Sequence, residues 1–119
     1  MVEIRERQVG GRTVVALVGA FTTQDVPTVQ DRLLSDLETL QRLNVSAFSL
    51  IVDLSEMTYI ASAGVALFVK LGNRARARGG RLILAQPRSA VQETLAVLRL
   101  TSHDLIFQIS PTVEDALKI

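Results

Sequence analysis

Charged and apolar residues alternate through residues 2–9, and residues 13–18 are largely apolar; both stretches read as strands, with Gly10 and Gly11 forming a hairpin turn between them. Thr22 or Thr23 supplies a cap for the next segment, where Val26, Val29, Leu33, Leu37 and Leu40 recur at helical spacing. At about 100° per residue these five form one narrow stripe, the pattern of a helix lying on a core. Residues 44–47 make a polar break. Residues 48–54 (FSLIVDL) are then nearly all apolar, which predicts a central strand covered on both faces. Residues 65–78 predict a helix that is apolar almost all round at first and basic toward its end. Arg74, Arg76 and Arg78 complement the carbonyl end of its dipole, and Gly79 and Gly80 stop it. Residues 81–85 (RLILA) predict another strand, and Ser89 caps a short helix containing Val91, Leu95 and Leu98. Residues 105–109 predict the last strand. Ser110 as N-cap and Pro111 at the first helical position open a C-terminal helix reaching about Lys118.

The predicted order is β-β-α-β-α-β-α-β-α. A hairpin followed by alternating βα units implies an α/β fold, a mixed sheet with helices packed upon it. Function in open α/β sheets tends to lie beyond the carboxyl ends of strands. The stretch at residues 53–65, DLSEMTYIASAGV, leaves a strand at that kind of end and reads as a small-residue turn with one hydroxyl, Ser62, and one glycine, Gly64.

Composition narrows what that turn can be. At 119 residues and 48% hydrophobic content, the expectation is one folded domain over residues 1–119. The longest apolar runs are only a few residues, so no insertion into a bilayer is expected, and the first residues contain no signal-peptide core. The chain has no cysteine, which removes disulfides, thiolate metal sites and thiol nucleophiles and is compatible with the cytoplasm. The net charge of +1 conceals an uneven distribution: no Asp or Glu occurs from Met57 to Gln92, whereas Lys70, Arg74, Arg76, Arg78, Arg81 and Arg88 all do. Those bases either solvate the outer face of one helix or form a surface that steers an acidic partner or anionic lipid. Four Phe and one Tyr give no aromatic interleaving for stacking on single-stranded nucleic acid, so no nucleic-acid partner is expected.

Catalytic chemistry finds little support. A hydrolase elbow requires G-x-S-x-G, but the run here is YIASAG, and the single histidine, His103, sits in a loop-like LTSHD stretch. No phosphate-cradling glycine motif occurs, so no cofactor is implied. Asp53 and Glu56 form a carboxylate pair in sequence, yet Asp53 reads more simply as the end of a strand. The expectation is a protein that is not an enzyme. One chemical possibility survives at Ser62, which stands just before a helix where free amides and the dipole favour a phosphate. Against that stands the plain reading of Ser62 as a helix N-cap.

The residues of this turn carry a resemblance. Asp53-Leu-Ser-Glu-Met-Thr-Tyr-Ile-Ala-Ser-Ala-Gly-Val65 resembles the D-L-S-x-x-x-x-x-D-S-[ST]-G-x motif of the STAS domain family, shared by bacterial anti-sigma factor antagonists and the cytoplasmic tails of sulfate transporters. Val18-Gly-Ala-Phe21, Gly79-Gly-Arg-Leu-Ile-Leu84 and Ser89-Ala-Val-Gln-Glu-Thr-Leu95 add weaker support, and the likeness spans essentially the whole chain. It implies a STAS-like fold: a mixed, mainly parallel sheet with an N-terminal hairpin and helices starting near Gln24, Ala63, Ser89 and Pro111. It also implies a regulatory, non-enzymatic module that docks an anti-sigma factor or related kinase-fold partner. The docking residues would be Thr22, Thr23, Thr58, Tyr59, Ala61, Ser62, Ala63, Gly64 and Val65. Family antagonists are phosphorylated on the second hydroxyl residue of Asp-Ser-[Ser/Thr]-Gly. Here the Asp position is Ala61, the first Ser is Ser62 and the acceptor position is Ala63, while Thr22 stands where an acid often follows G-x-L. Alanine has no oxygen to accept a phosphate, which leaves Ser62 as the candidate acceptor, turned about 100° from the family's position. The alternative role is a structural subunit of a larger assembly, such as a stressosome-like complex or a membrane lipid or anion transporter.

Overall fold

The computed structural model describes residues 1–10, 12–43, 48–99 and 107–118. Strand β1 (Glu3–Val9) turns back at Gly10, whose φ of 56° lies in the left-handed region open to glycine, into the long strand β2 (Arg12–Phe21). A 3-10 turn (Thr23–Asp25) leads into α1 (Val26–Leu43), whose Val29, Leu33 and Leu37 are buried while Val26 and Leu40 pack at its margins, as their spacing predicts. Strand β3 (Ser49–Asp53), strand β4 (Met57–Ile60), α2 (Ser62–Ala77), β5 (Arg81–Ala85), α3 (Ser89–Arg99), β6 (Gln108–Ser110) and α4 (Val113–Leu117) follow. The expected polar break at 44–47, His103 and the first half of the expected strand at 105–109 lie outside the described residues.

The described strands form one mixed sheet in the order β1-β2-β3-β5-β6, with β4 pairing β2. Only the β1–β2 hairpin is antiparallel; β2–β3, β2–β4, β3–β5 and β5–β6 are parallel. Strand β3 lies in the middle, and Ile51 and Val52 are both fully buried, one on each face. This is the α/β architecture expected of the sequence. Helices α1, α2 and α3 cover one face over Val15, Leu17, Leu50, Val52, Leu82 and Leu84. The other face, with Val14, Ile51, Ile83 and Ala85, is covered by α4 through Ala116. The Arg12 guanidinium donates to the Leu117 carbonyl at 2.7 Å, fixing the C-terminal end of α4 to the sheet. At the end of α2 the chain turns through Gly79 (φ 83°), and a side chain at Gly80 would collide with the Phe48 ring, so the helix stop also seals the core edge.

Three expectations are corrected. The stretch at 53–65 is more than a turn, because Met57–Ile60 forms a strand against Gly19–Phe21 of β2. Its period is broken by two consecutive exposed residues, Thr58 and Tyr59, between buried Met57 and Ile60, so no alternation marked it. The C-terminal helix is capped by Thr112 and not by Ser110; the Thr112 hydroxyl accepts from the Asp115 amide at 3.0 Å. Ser110 stays in β6, opposite Ala85, because strand pairing satisfies its backbone there. Ser62 and Ser89 are each the first residue of their helix and not the residue before it. No helix among the described residues is long and apolar enough to cross a membrane.

Candidate functional site

The site is built where β2 changes neighbour. Its first half pairs with β3 through Val14–Ala16 and its second half with β4 through Gly19–Phe21, so the chain leaving β3 rejoins the same strand a few residues later. Asp53 closes β3. One carboxylate oxygen accepts the Ser55 amide at 2.9 Å and the other meets the Arg7 guanidinium at 3.0 Å, which accounts for a charge that is almost completely buried. Glu56 is exposed, and its carbonyl accepts from the Gly19 amide at 2.9 Å. Asp53 therefore ends a strand, the simpler of its two readings from sequence.

Beyond β4 the Ala61 amide donates to the Phe21 carbonyl at 2.9 Å, which brings Thr22 beside the start of α2. Ala61 is the N-cap, with extended backbone (φ −76°, ψ 157°) and no side-chain oxygen; its carbonyl accepts from the Gly64 and Val65 amides. The nine expected docking residues then divide by exposure. Thr23, Thr58, Tyr59 and Ser62 are exposed, and Thr22 and Ala63 are half-buried. Ala61, Gly64 and Val65 are buried. Gly64 serves the interior: a methyl group there would sit 3.0 Å from Ile60 and 3.1 Å from the Phe21 ring, so the small residue lets α2 lie down on β2 and β4. Phe21 in turn meets Phe68 of α2 edge-on, with ring centroids 5.8 Å apart.

Sequence reasoning missed the residue that holds Thr22 in place. Asp25 is buried and accepts three hydrogen bonds, from the Val2 amide (3.2 Å), the Thr22 amide (2.9 Å) and the Thr22 hydroxyl (2.8 Å). Its carboxyl is held below the usual carboxylate range, first by the Thr22 amide, then by the Thr22 hydroxyl, with the Val2 amide and the N-terminal charge adding to the effect. The signal was present as a hydroxyl followed three residues later by an acid, the pattern of a reciprocal helix-start cap.

The architecture defines the class: a hairpin-led, mainly parallel sheet with three helices on one face and a short fourth on the other. Solved structures share it. The chain is 18% identical to an anti-sigma factor antagonist from Mycobacterium paratuberculosis, with a TM-score of 0.76 over 99% of this chain and 92% of that one. It is 15% identical to the anti-sigma factor antagonist SpoIIAA in its unphosphorylated form, with a TM-score of 0.64 over 98% of this chain and 94% of the other. At such identities the likeness shows the fold. The family follows from the sequence itself, which matches the STAS domain model over residues 3–116; the chain belongs to the STAS domain family.

Proposed function

We propose that this STAS domain is a non-enzymatic regulatory module of the anti-sigma factor antagonist kind, docking an anti-sigma factor or related kinase-fold protein in the cytoplasm. The contact surface is the outer side of the 58–65 segment: Thr58, Tyr59, Ser62 and Ala63, flanked by Thr22 and Thr23. The observation that carries this reading is the exposure of the α2 start, where small residues leave room for another backbone and Tyr59, 55% exposed, offers an aromatic anchor. The buried members of the motif, Ala61, Gly64 and Val65, hold that surface in shape from beneath. With Ala63 at the family's acceptor position, the usual phosphorylation step has no oxygen to act upon. Ser62, the first residue of the helix, is turned about 100° from that position, and transfer needs the hydroxyl in line with the phosphoryl group. Binding is therefore constitutive in this reading.

The test uses the purified protein and candidate anti-sigma factor kinases from the same organism. Titration calorimetry should show that Ala63→Glu weakens binding at least about ten-fold, because a desolvated charge opposes a dry contact. Folding should survive, since an acid in the first turn of a helix is worth about 0.3–1 kcal/mol in its favour. Intact mass after incubation with ATP and the kinase should be unchanged. Equal affinity for Ala63→Glu removes the site, and a stoichiometric phosphate lost in Ser62→Ala overturns constitutive binding. Co-purification with a large assembly or a transporter, and no kinase affinity, transfers the protein to the structural-subunit role.

A further inference from the structure

A carboxyl pair lies between the sheet edge and α1, away from the docking surface. Glu6 sits on β1 opposite Val15, so its side chain is on the helix-covered face. Asp36 comes down from α1, one turn after Arg32. The Arg32 guanidinium is committed to Glu6, with Nη2 at 2.8 Å and Nε at 3.0 Å from the same oxygen, and stands 3.9 Å from Asp36. One Asp36 oxygen, Oδ2, is sealed from solvent and has no hydrogen-bond partner. An ionised carboxylate left in that condition is costly, whereas a protonated one is a donor with an acceptor alongside.

We propose that Asp36 is protonated in the folded protein and donates to the Glu6 carboxylate, so that Arg32, Glu6 and the Asp36 proton clasp α1 to strand β1. The charged groups of the surroundings are few. On the helix-covered face β1 offers Ile4, Glu6 and Gln8, β2 offers Thr13, Val15 and Leu17, and β3 offers Leu50 and Val52. Glu6 is thus the sole titratable group that those three strands turn toward α1 there, and α1 itself adds Arg32. Helix α2, also packed on α1, brings Lys70 to Gln30 and Arg78 to Gln41, five or six residues along α1 from Asp36 on either side. Burial, the Glu6 charge and the hydrogen bond with Glu6 together raise the Asp36 carboxyl from its ordinary 3.8 to about 7, and Arg32 only partly opposes them.

The sign follows from linkage. A carboxyl with a raised folded-state pKa stabilises the fold fully below its unfolded value of 3.8, and that contribution is lost as pH rises to about 7. Above pH 7 both acids are ionised with one arginine between them, and the clasp loosens. Across the window the folded-to-unfolded ratio loses up to about ten-fold per pH unit from this group.

Two measurements on the intact chain test the clasp. Carbon-13 NMR of the side-chain carboxyls should show Asp36 titrating near neutrality; titration at the ordinary carboxylate pH overturns the proposal without any variant. Urea unfolding at pH 5, 6, 7 and 8 should show the wild-type ratio falling with pH and Asp36→Asn, which keeps a donor facing Glu6, removing most of that fall. An unchanged slope in Asp36→Asn overturns it. Glu6→Gln, which removes the charge that holds the proton, should return the Asp36 titration toward lower pH.

Discussion

Single residues decide how the docking surface is held. Asp25 ties the start of β1, the end of β2 and the entry to α1 through one carboxylate, with Thr22 as its main partner. Because its folded-state pKa is depressed, the stability it gives is fully present above the ordinary 3.8 and is lost as pH falls through the lower folded value. Asp25→Asn should therefore be less stable than wild type at neutral pH, and the gap should shrink below pH 3.8. Urea midpoints at pH 7, 5 and 3 check this, and a gap that stays constant with pH contradicts it. The residue-scale content of the site was only partly legible. Asp53 reads from sequence as a strand end, and the structure agrees. The inward placement of Ala61, Gly64 and Val65 was not visible, because a run of small residues has no amphipathic contrast to say which of them face out. The partnership of Glu6 with Asp36 joins residues 30 positions apart in sequence, and no local pattern encodes it.

Whole elements were more readable where burial leaves a strong pattern. The nearly all-apolar FSLIVDL run placed β3 at the sheet's centre, and the Val29-Leu33-Leu37 stripe placed the buried side of α1. Short elements were less readable. The four residues of β4 hold too few periods to distinguish strand from turn. The five-residue α4 was legible from its proline signal, but its cap lies at Thr112 and not at Ser110. The start of α2 shows the same dependence on context. Sequence suggests Ser62 as its cap, yet the pairing of Ala61 with Phe21 shifts the boundary by one residue and leaves the helix without a side-chain cap. Ala61 already has the extended backbone that a capping residue uses. Ala61→Ser should supply the missing oxygen to the Ala63 or Gly64 amide and raise stability by about 1 kcal/mol. An increased urea midpoint with unchanged slope is the expected result, and a lowered midpoint means the buried position cannot admit the hydroxyl.

At the scale of the molecule, the basic block of the sequence becomes a ridge. Lys70, Arg74 and Arg78, at four-residue spacing, are exposed along one side of α2 and its end, and Arg76 is exposed on the opposite side, in a run of chain with no acid from Met57 to Gln92. Lys70 and Arg78 reach only neutral partners on α1, Gln30 at 3.4 Å and Gln41 at 2.6 Å, and Arg74 and Arg76 make no ion pair among the described residues. The charges are therefore unneutralised, and they lie on the same helix whose first residue, Ser62, opens the proposed docking surface. Of the two sequence readings, steering of an acidic partner fits this placement better than lipid attachment. The exposed face of α2 that carries the bases offers Ala66 and Ala77 but no large apolar side chain to enter a bilayer. A field of this kind acts on encounter more than on the closed complex, and its reach shrinks from about 30 Å at 0.01 M salt to about 8 Å at 0.15 M. Stopped-flow association with the anti-sigma factor kinase should slow by about ten-fold over that range. Lys70→Glu combined with Arg74→Glu should lower the rate at low salt and flatten its salt dependence while leaving dissociation nearly unchanged. A salt slope that survives the double substitution assigns the steering elsewhere, and sedimentation of the wild type with phosphatidylglycerol vesicles but not with phosphatidylcholine vesicles assigns the ridge to lipid.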